Sequence, residues 1–226
     1  DANPAMTANN LVASMAGCAG QRCMAAAVMV GVGDVDHIID LVVEEAKKAI
    51  PGDNLGPVIT KESQQRIEDY ITQAEKQGAR ILLDGRNTVV PGKENGFYVG
   101  PTVIDNVTPN MVIAQEEVFG PVLSIIRTEN VDEAIEVQKA SKYGNGAAVF
   151  TQNPSLAAKI TEEFESGMVG VNIGIPVPRE PFSFGGWKDS RFGVGDITGV
   201  SSISFWTQDK KMTTKWNPED KKDWMS

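Results

Sequence analysis

Helix-like and strand-like patterns alternate along most of this chain, and this alternation limits its fold more than any other feature. Apolar residues recur every three or four positions over residues 34–50 and 61–77, which predicts amphipathic helices. Short apolar runs at 25–32, 79–83, 122–127, 147–151 and 167–172 are typical of buried strands. Helices that alternate with short buried strands form an α/β fold, with helices flanking a mostly parallel sheet.

Further elements complete this prediction. Residues 7–19, 131–140 and those after Asn153 are expected to be helical, and 97–107 extended. Residues 173–199 are rich in glycine and proline and show little periodicity, which is usual for a functional loop. Residues 202–206 and 210–216 look like strands, and the second is polar enough either to stay solvated or to pair with another subunit.

Composition restricts the classes of function. The 226 residues are 41% hydrophobic, which is enough for one large core, and no apolar run is long enough for a membrane span. The net charge is −9 without a basic cluster, which argues against nucleic acid as a partner. Two cysteines do not make a disulfide framework, so the chain fits a reducing compartment.

The segment Gly20-Gln21-Arg22-Cys23 carries the strongest chemical signal. A thiol at the end of a helix-compatible run can act as a nucleophile, with backbone N–H groups free to face an oxyanion. Arg22 places a positive charge beside the thiol, and a nearby cation favours the reactive thiolate. From spacing alone, the favoured interpretation of Cys23 is a buried packing residue. Cys18 is interpreted as packing, and its spacing from Cys23 does not match a zinc site, so we expect no metal.

Seven segments, in this order, resemble the aldehyde dehydrogenase superfamily over nearly the whole chain. They are Gly20-Gln-Arg-Cys23, Leu55-Gly-Pro57, Gly100-Pro-Thr-Val-Ile104, Glu116-Glu-Val-Phe-Gly-Pro121, Tyr143-Gly-Asn-Gly146, Gly170-Val-Asn172 and Phe184-Gly-Gly-Trp-Lys188. The arginine directly before the cysteine, the segment Ile173-Gly-Ile-Pro-Val-Pro178 and the segment Phe205-Trp-Thr-Gln208 are similar to the CoA-acylating branch, which acts on methylmalonate and malonate semialdehydes.

The resemblance implies a division of the chain. Residues 1–208 would form the catalytic domain, and 209–226 a C-terminal strand and tail through which family members assemble into dimers or tetramers. The family's NAD-binding half, its general-base glutamate and its upstream oxyanion-binding asparagine have no counterpart in this chain. The isolated chain is therefore expected to be incomplete for turnover.

The resemblance also implies roles for individual residues. Cys23 would be the nucleophile, and Arg22 would hold the substrate's carboxylate in a bidentate pair. Glu117 would hold the nicotinamide ribose and Phe119 would flank the nicotinamide ring. Asn172 and Phe184 would lie on the substrate side, although turn formation and core packing are alternative interpretations of both.

The expected reaction is an NAD-dependent oxidation through a Cys23 thioester, followed by acyl transfer to CoA. The carboxylate would be lost as CO2 to give propionyl-CoA or acetyl-CoA, as in the breakdown of valine and inositol. Such an enzyme would be cytoplasmic, or in the mitochondrial matrix of a eukaryote. One alternative is a hydrolytic aldehyde dehydrogenase that makes free acids, and another is a non-catalytic fragment that self-associates through residues 210–216.

Overall fold

The computed structural model describes residues 1–214 and 216, and its main sheet has the order β1-β4-β3-β2. The helices are α1 Pro4–Ala16, α2 Asp36–Ala46, α3 Lys61–Lys76, α4 Val112–Gln115, α5 Val131–Ala140, α6 Pro154–Glu163 and α7 Ser201–Trp206. The strands are β1 Val28–Val32, β2 Arg80–Leu83, β3 Thr102–Asp105, β4 Val122–Thr128, β5 Tyr143–Gly144, β6 Gly146–Val149, β7 Met168–Val171 and β8 Trp187–Lys188.

The main sheet is mixed. Strand β4 lies parallel to both of its neighbours, with Ser124 opposite Val28 of β1 and Val122 opposite Thr102 of β3. Strand β2 runs antiparallel to β3 at the edge. The predicted α/β class with helices flanking a mostly parallel sheet is confirmed.

Two apolar clusters cover the two faces of this sheet. Because successive side chains of a strand point to opposite faces, Leu123 and Ile125 of β4 pack with α1 and α2, while Val122 and Ile126 pack with α3. Strand β4 therefore contributes apolar residues to both cores, which explains why its sequence is almost uninterruptedly apolar.

Helix α1 is positioned by capping at its first turn and by a change of backbone conformation at its end. The Asn3 side chain accepts a hydrogen bond from the Met6 N–H, and Pro4 occupies the first turn. The helix starts three residues earlier than predicted and ends at Ala16, since Gly17 has a non-helical ψ of 132° and residues 18–20 have positive φ. Helix α2 was expected to begin with Asp34 as its cap, but it begins at Asp36, and its cap residue Val35 makes no side-chain capping bond.

The irregular segment after residue 172 is fixed by close backbone contacts. A Cβ on Gly167 would lie 2.1 Å from the Gly185 carbonyl oxygen, so only glycine permits this approach. The short strand β8 pairs with β5, and the Lys188 ammonium donates to the carbonyls of Lys139 and Ser141 at the end of α5. These contacts place residues 184–188 against the loop that follows α5.

The predictions near the C-terminus were partly wrong. Residues 202–206 belong to helix α7 and do not form a strand. The helix begins with a turn in which Gly199 O accepts from both Ser202 N and Ser202 Oγ. Within the described part of the predicted strand 210–216, residues 210–214 and 216 form no strand with the rest of the chain. Position 215 and most of the predicted tail, 217–226, lie outside the described residues.

No helix in the described ranges is both long enough and apolar enough to cross a membrane. The same ranges contain no group of three or more His, Cys, Asp or Glu side chains arranged to hold a metal ion.

A buried carboxylate at the end of β3 makes stability depend on pH. Burial acts to raise the pKa of Asp105, but hydrogen bonds from Arg127 and from the Asn106 N–H outweigh it, so the pKa lies below its ordinary value. A lowered folded-state pKa stabilises the protein above the unfolded value of about 4, and this contribution is lost as the pH falls through the folded-state pKa.

We therefore expect Asp105→Asn to lower the free energy of unfolding by about 2 kcal/mol at neutral pH and to weaken its acid dependence. Urea titrations at neutral and acidic pH measure both effects. The control is Asp132→Asn, which breaks the exposed pair with Lys159 and should change stability by less than about 0.5 kcal/mol. Equal losses in the two variants would contradict the assignment.

Candidate active site around Cys23

Cys23 lies on a loop that begins where α1 ends. After Ala16 the chain enters a 3-10 turn, Gly17–Gly20, in which Cys18 and Ala19 both have φ 53° and Gly20 has φ 68°. This left-handed stretch stops the helix and turns the chain. Both thiols are free and exposed, so interpreting Cys18 as packing was wrong, and the alternative of a buried Cys23 is excluded.

Gln21 attaches this loop to the segment before α3. Its side-chain oxygen accepts a hydrogen bond from the Ile59 N–H at 2.9 Å. Its amide nitrogen donates to the carbonyls of Pro57 and Cys18, each at 3.4 Å. Gln21 therefore holds the loop two residues before the thiol.

Gly20 brings a distant segment next to the loop. A Cβ at Gly20 would lie 2.0 Å from the carbonyl oxygen of Gly120, so the two backbones touch directly. The Arg66 guanidinium on α3 donates to Val118 O at 2.7 Å and to Glu117 O at 3.4 Å. These bonds attach the segment that contains Gly120 to α3. Residues 116–121 are thereby placed beside the cysteine loop.

Glu117 and Phe119 occupy this adjoining segment. The Glu117 side chain is exposed and takes part in no hydrogen bond or ion pair with the described residues. Glu116 differs, because its carboxylate pairs with Lys142 at 2.9 Å and raises the pKa of that ammonium group. Phe119 has φ 54° and a ring that is 38% exposed. The segment thus presents a free carboxylate and an aromatic face.

Arg22 folds back onto the end of α1. Its Nη2 donates to Ala13 O at 2.7 Å and to Ser14 O at 3.1 Å, two carbonyls in the last turn of the helix, and Ala13 O also accepts from the Gly17 N–H. Gly17 makes room for the guanidinium, since a Cβ there would lie 2.2 Å from Nη2. The Nε atom is buried and has no partner among the described residues. The Nη1 atom makes no hydrogen bond to the described residues either, and unlike Nε it is not buried, so this part of the guanidinium fork remains available to an acceptor.

Two residues that the sequence did not single out hold the peptides just after the thiol. Asn145 Nδ2 donates to Cys23 O at 3.1 Å. The hydroxyl of Ser14, which is fully buried, accepts from Ala26 N at 2.9 Å and approaches Met24 O at 3.4 Å. Two features of the sequence could have pointed to these residues. Ser14 is a polar residue on the apolar face of α1, and Asn145, a weaker case, has a glycine on either side.

Asn172 and Phe184 make their hydrogen bonds elsewhere. The Asn172 side chain donates to Thr151 O and accepts from Thr151 N, both at 3.0 Å. The Phe184 N–H donates to Thr198 Oγ1 at 2.9 Å. In the described residues no hydrogen bond ties either of them to the loop of Cys23. The loop after Asn172 does reach α1, where Gly174 N donates to Asn10 Oδ1 at 3.2 Å.

The backbone of Cys23 can support attack of its thiol on a carbonyl group. Within the described chain, the Cys23 N–H donates to no acceptor, while the Cys23 carbonyl is held by Asn145. An exposed thiol beside an unpaired N–H on a fixed loop can attack a carbonyl carbon and donate a hydrogen bond to the oxyanion that forms.

Comparisons with known proteins show the family to which the chain belongs. The aldehyde dehydrogenase family model matches residues 1–212. The human mitochondrial methylmalonate-semialdehyde/malonate-semialdehyde dehydrogenase, an acylating enzyme, is 46% identical over 226 residues, covering 97% of this chain and 42% of its own length. Malonate-semialdehyde dehydrogenase 2 of Geobacillus kaustophilus is 40% identical over 223 residues, covering 96% of this chain and 46% of its own.

Solved structures show the same likeness. Methylmalonate-semialdehyde dehydrogenase from Oceanimonas doudoroffii superposes with a TM-score of 0.92 at 41% identity, covering 96% of this chain and 46% of that protein. Betaine aldehyde dehydrogenase from Staphylococcus aureus, in complex with NAD+, superposes with a TM-score of 0.83 at 28% identity. The match covers 91% of this chain and 42% of that protein. The chain thus spans less than half the length of the relatives it matches. It belongs to the aldehyde dehydrogenase family.

Proposed function

We propose that this chain supplies the nucleophile of an NAD-dependent, CoA-acylating oxidation of methylmalonate or malonate semialdehyde. The observation that carries the proposal is the exposed Cys23 thiol with an unpaired backbone N–H, on a loop held by Gln21, Gly20 and Asn145. The substrate class rests on the acylating and semialdehyde-specific names of its relatives.

The segment 116–121 has groups that fit the nicotinamide end of NAD. The Glu117 carboxylate has no partner among the described residues, and its two oxygens can accept from two ribose hydroxyls. The exposed face of Phe119 can restrict a planar ring. When bound, NAD would supply the hydride acceptor of the reaction.

Cys23 would carry the acyl group. Its thiolate attacks the aldehyde carbon, forming a C–S bond, and the new oxyanion accepts a hydrogen bond from the Cys23 N–H. Loss of hydride from that carbon leaves a thioester on Cys23. The CoA thiolate then attacks the thioester and releases the Cys23 thiolate. The far carboxylate leaves as CO2, and a proton takes its place on carbon.

Arg22 is the proposed partner of the substrate carboxylate. Its Nη2 is used by the end of α1, whereas its Nη1 makes no hydrogen bond to the described residues, so one guanidinium can serve both the helix and an anion. We retain Asn172 and Phe184 as proposed substrate-side residues, with Asn172 acting through the end of β7 that it pins to Thr151.

The products distinguish this proposal from a hydrolytic dehydrogenase. The assay uses a chimera in which this chain replaces the matching part of the Oceanimonas doudoroffii enzyme, supplied with malonate semialdehyde and NAD. We expect acetyl-CoA to accumulate with CoA present, and turnover to fall at least tenfold without it, because water attacks a thioester more slowly than the CoA thiolate does. Free acid formed at the same rate without CoA would overturn the acylating assignment.

The substitution Arg22→Lys tests whether the Arg22 guanidinium binds the carboxylate of the substrate. Lysine keeps the charge but loses the planar fork, so kcat/KM for malonate semialdehyde should fall by about 10–100-fold. The kcat/KM for propanal, which has the aldehyde but no carboxylate, should change by less than about twofold. Thermal unfolding of the variant controls for the lost contacts to α1, and equal losses on both aldehydes would contradict the role.

We also propose a homo-oligomer. Large apolar side chains are exposed after residue 170, among them Phe182 at 73%, Phe192 at 94% and Trp206 at 72%. Exposed apolar side chains that lie together on a surface often mark an interface, and a second copy of the chain is the partner that we propose. Pairing through residues 210–216 remains a prediction. In a cell, we expect the chain in the mitochondrial matrix of a eukaryote, or in the bacterial cytoplasm.

A further inference from the structure

The hydrogen bond from Asn145 to the carbonyl of Cys23 joins two residues that are 122 positions apart. We propose that Asn145 is a positioning residue for the nucleophile. Its amide fixes the peptide that follows Cys23, and this keeps the Cys23 N–H aimed at the oxyanion. The inference rests on the proposed function of Cys23.

Asn145 is held rigidly by its own neighbours. Gly144 pairs with Trp187 of β8, and Gly146 pairs with Met168 of β7. The Asn145 carbonyl accepts from Met168 N at 3.2 Å. A residue fixed between two strand pairings can hold a distant loop in place, whereas a residue on a mobile surface loop cannot.

The peptide after Cys23 is also fixed by packing. Met24 is 8% exposed and lies against Gly146, where a Cβ would come within 2.5 Å of the Met24 methyl group. The Asn145 amide approaches the Met24 sulfur at 3.2 Å. On the other side, Ser14 accepts from Ala26 N. The Cys23–Met24 peptide is thus held between α1 and the start of β6, which restrains rotation about ψ of Cys23.

This arrangement matters for acyl transfer and not for thiol chemistry in general. Attack on a carbonyl develops negative charge on oxygen, which a correctly aimed N–H stabilises. Displacement of iodide from iodoacetamide develops no oxyanion, so it reports only the exposure and ionisation of the thiol. A positioning role therefore predicts that Asn145 affects one reaction and leaves the other unchanged.

The experiment compares the two reactions in a parent chain, the Oceanimonas doudoroffii chimera that carries these 226 residues, and in three variants of it. Asn145→Leu removes the donor at similar size, and Asn145→Ala is a smaller variant if leucine prevents folding. Gln64→Leu is the matched control, because it removes another side-chain amide that donates to a backbone carbonyl, Tyr98 O at 2.8 Å. The probes are p-nitrophenyl acetate for acylation and iodoacetamide for alkylation, with peptide mapping to assign both to Cys23.

We expect the Asn145 variants to acylate about tenfold more slowly while alkylating within twofold of the parent chain, and Gln64→Leu to leave both rates unchanged. Equal slowing of both reactions, or no slowing of acylation, would overturn the positioning role. If the parent chain is not acylated at Cys23, the proposed function fails as well. If the parent chain is acylated and the variants match it, only the role of Asn145 fails.

Discussion

Cys23→Ser is expected to lower semialdehyde oxidation by at least about 10³-fold, the scale on which removal of a covalent nucleophile acts. Serine keeps the size of the side chain and the hydrogen bond from Asn145 to the Cys23 carbonyl. It replaces a thiol by a hydroxyl, which is hardly ionised at neutral pH, and the described residues place no histidine as a base beside it. NADH formation by the Oceanimonas chimera measures the loss.

Cys18→Ser is the matched control. Cys18 lies on the same loop, is equally free and is also exposed, so its replacement changes one thiol without touching the proposed nucleophile. We expect turnover within about twofold of the parent chimera. A loss as large as that of Cys23→Ser would show that the loop, and not the Cys23 thiol, carries the effect.

Gly20→Ala is expected to have the largest effect on stability. The Cβ would meet Gly120 O at 2.0 Å, and alanine would also be held at φ 68°, so the cysteine loop and the segment 116–121 must separate. We expect the free energy of unfolding to fall by about 3 kcal/mol or more. Because Glu117 and Phe119 lie in that segment and would move with it, NAD-dependent turnover of the chimera should also fall.

Gly33→Ala separates the steric clash from backbone strain. Gly33 has φ 69°, nearly the same as Gly20, but a Cβ there meets nothing within 4 Å. Its replacement should cost only the left-handed backbone penalty of about 1–2 kcal/mol. Urea unfolding followed by tryptophan fluorescence compares the two variants, and equal losses would mean that the contact with Gly120 is not tight in solution.

The sequence predicts those parts of the fold that depend on local periodicity. The almost unbroken apolar run of β4 and the spacing of α3 place both elements within a residue of their observed ends. The prediction of a strand over residues 202–206 was wrong for a related reason. Their alternation of serine with apolar residues is typical of a strand, but Ile203 and Phe205 are exposed, so no buried face enforces that conformation.

The site was harder to predict because contacts between distant residues assemble it. The resemblance implies roles for Cys23, Glu117 and Phe119, but it gives no sign of the contact between Gly20 and Gly120 that places their segments side by side. The hydrogen bond from Asn145 to the Cys23 carbonyl was equally hidden, since an asparagine between glycines usually marks a turn. The left-handed residues before Cys23 could not be foreseen either, because Cys18 and Ala19 are ordinarily helix-compatible.

The most direct test of Cys23 as an exposed, activated nucleophile is alkylation of the native chain with limiting iodoacetamide at neutral pH, followed by intact-mass analysis and peptide mapping. Cys18 is the internal reference, since both thiols are free and exposed on one loop. We expect modification of Cys23 with Cys18 spared. Equal modification of the two cysteines, or faster modification of Cys18, would contradict the account.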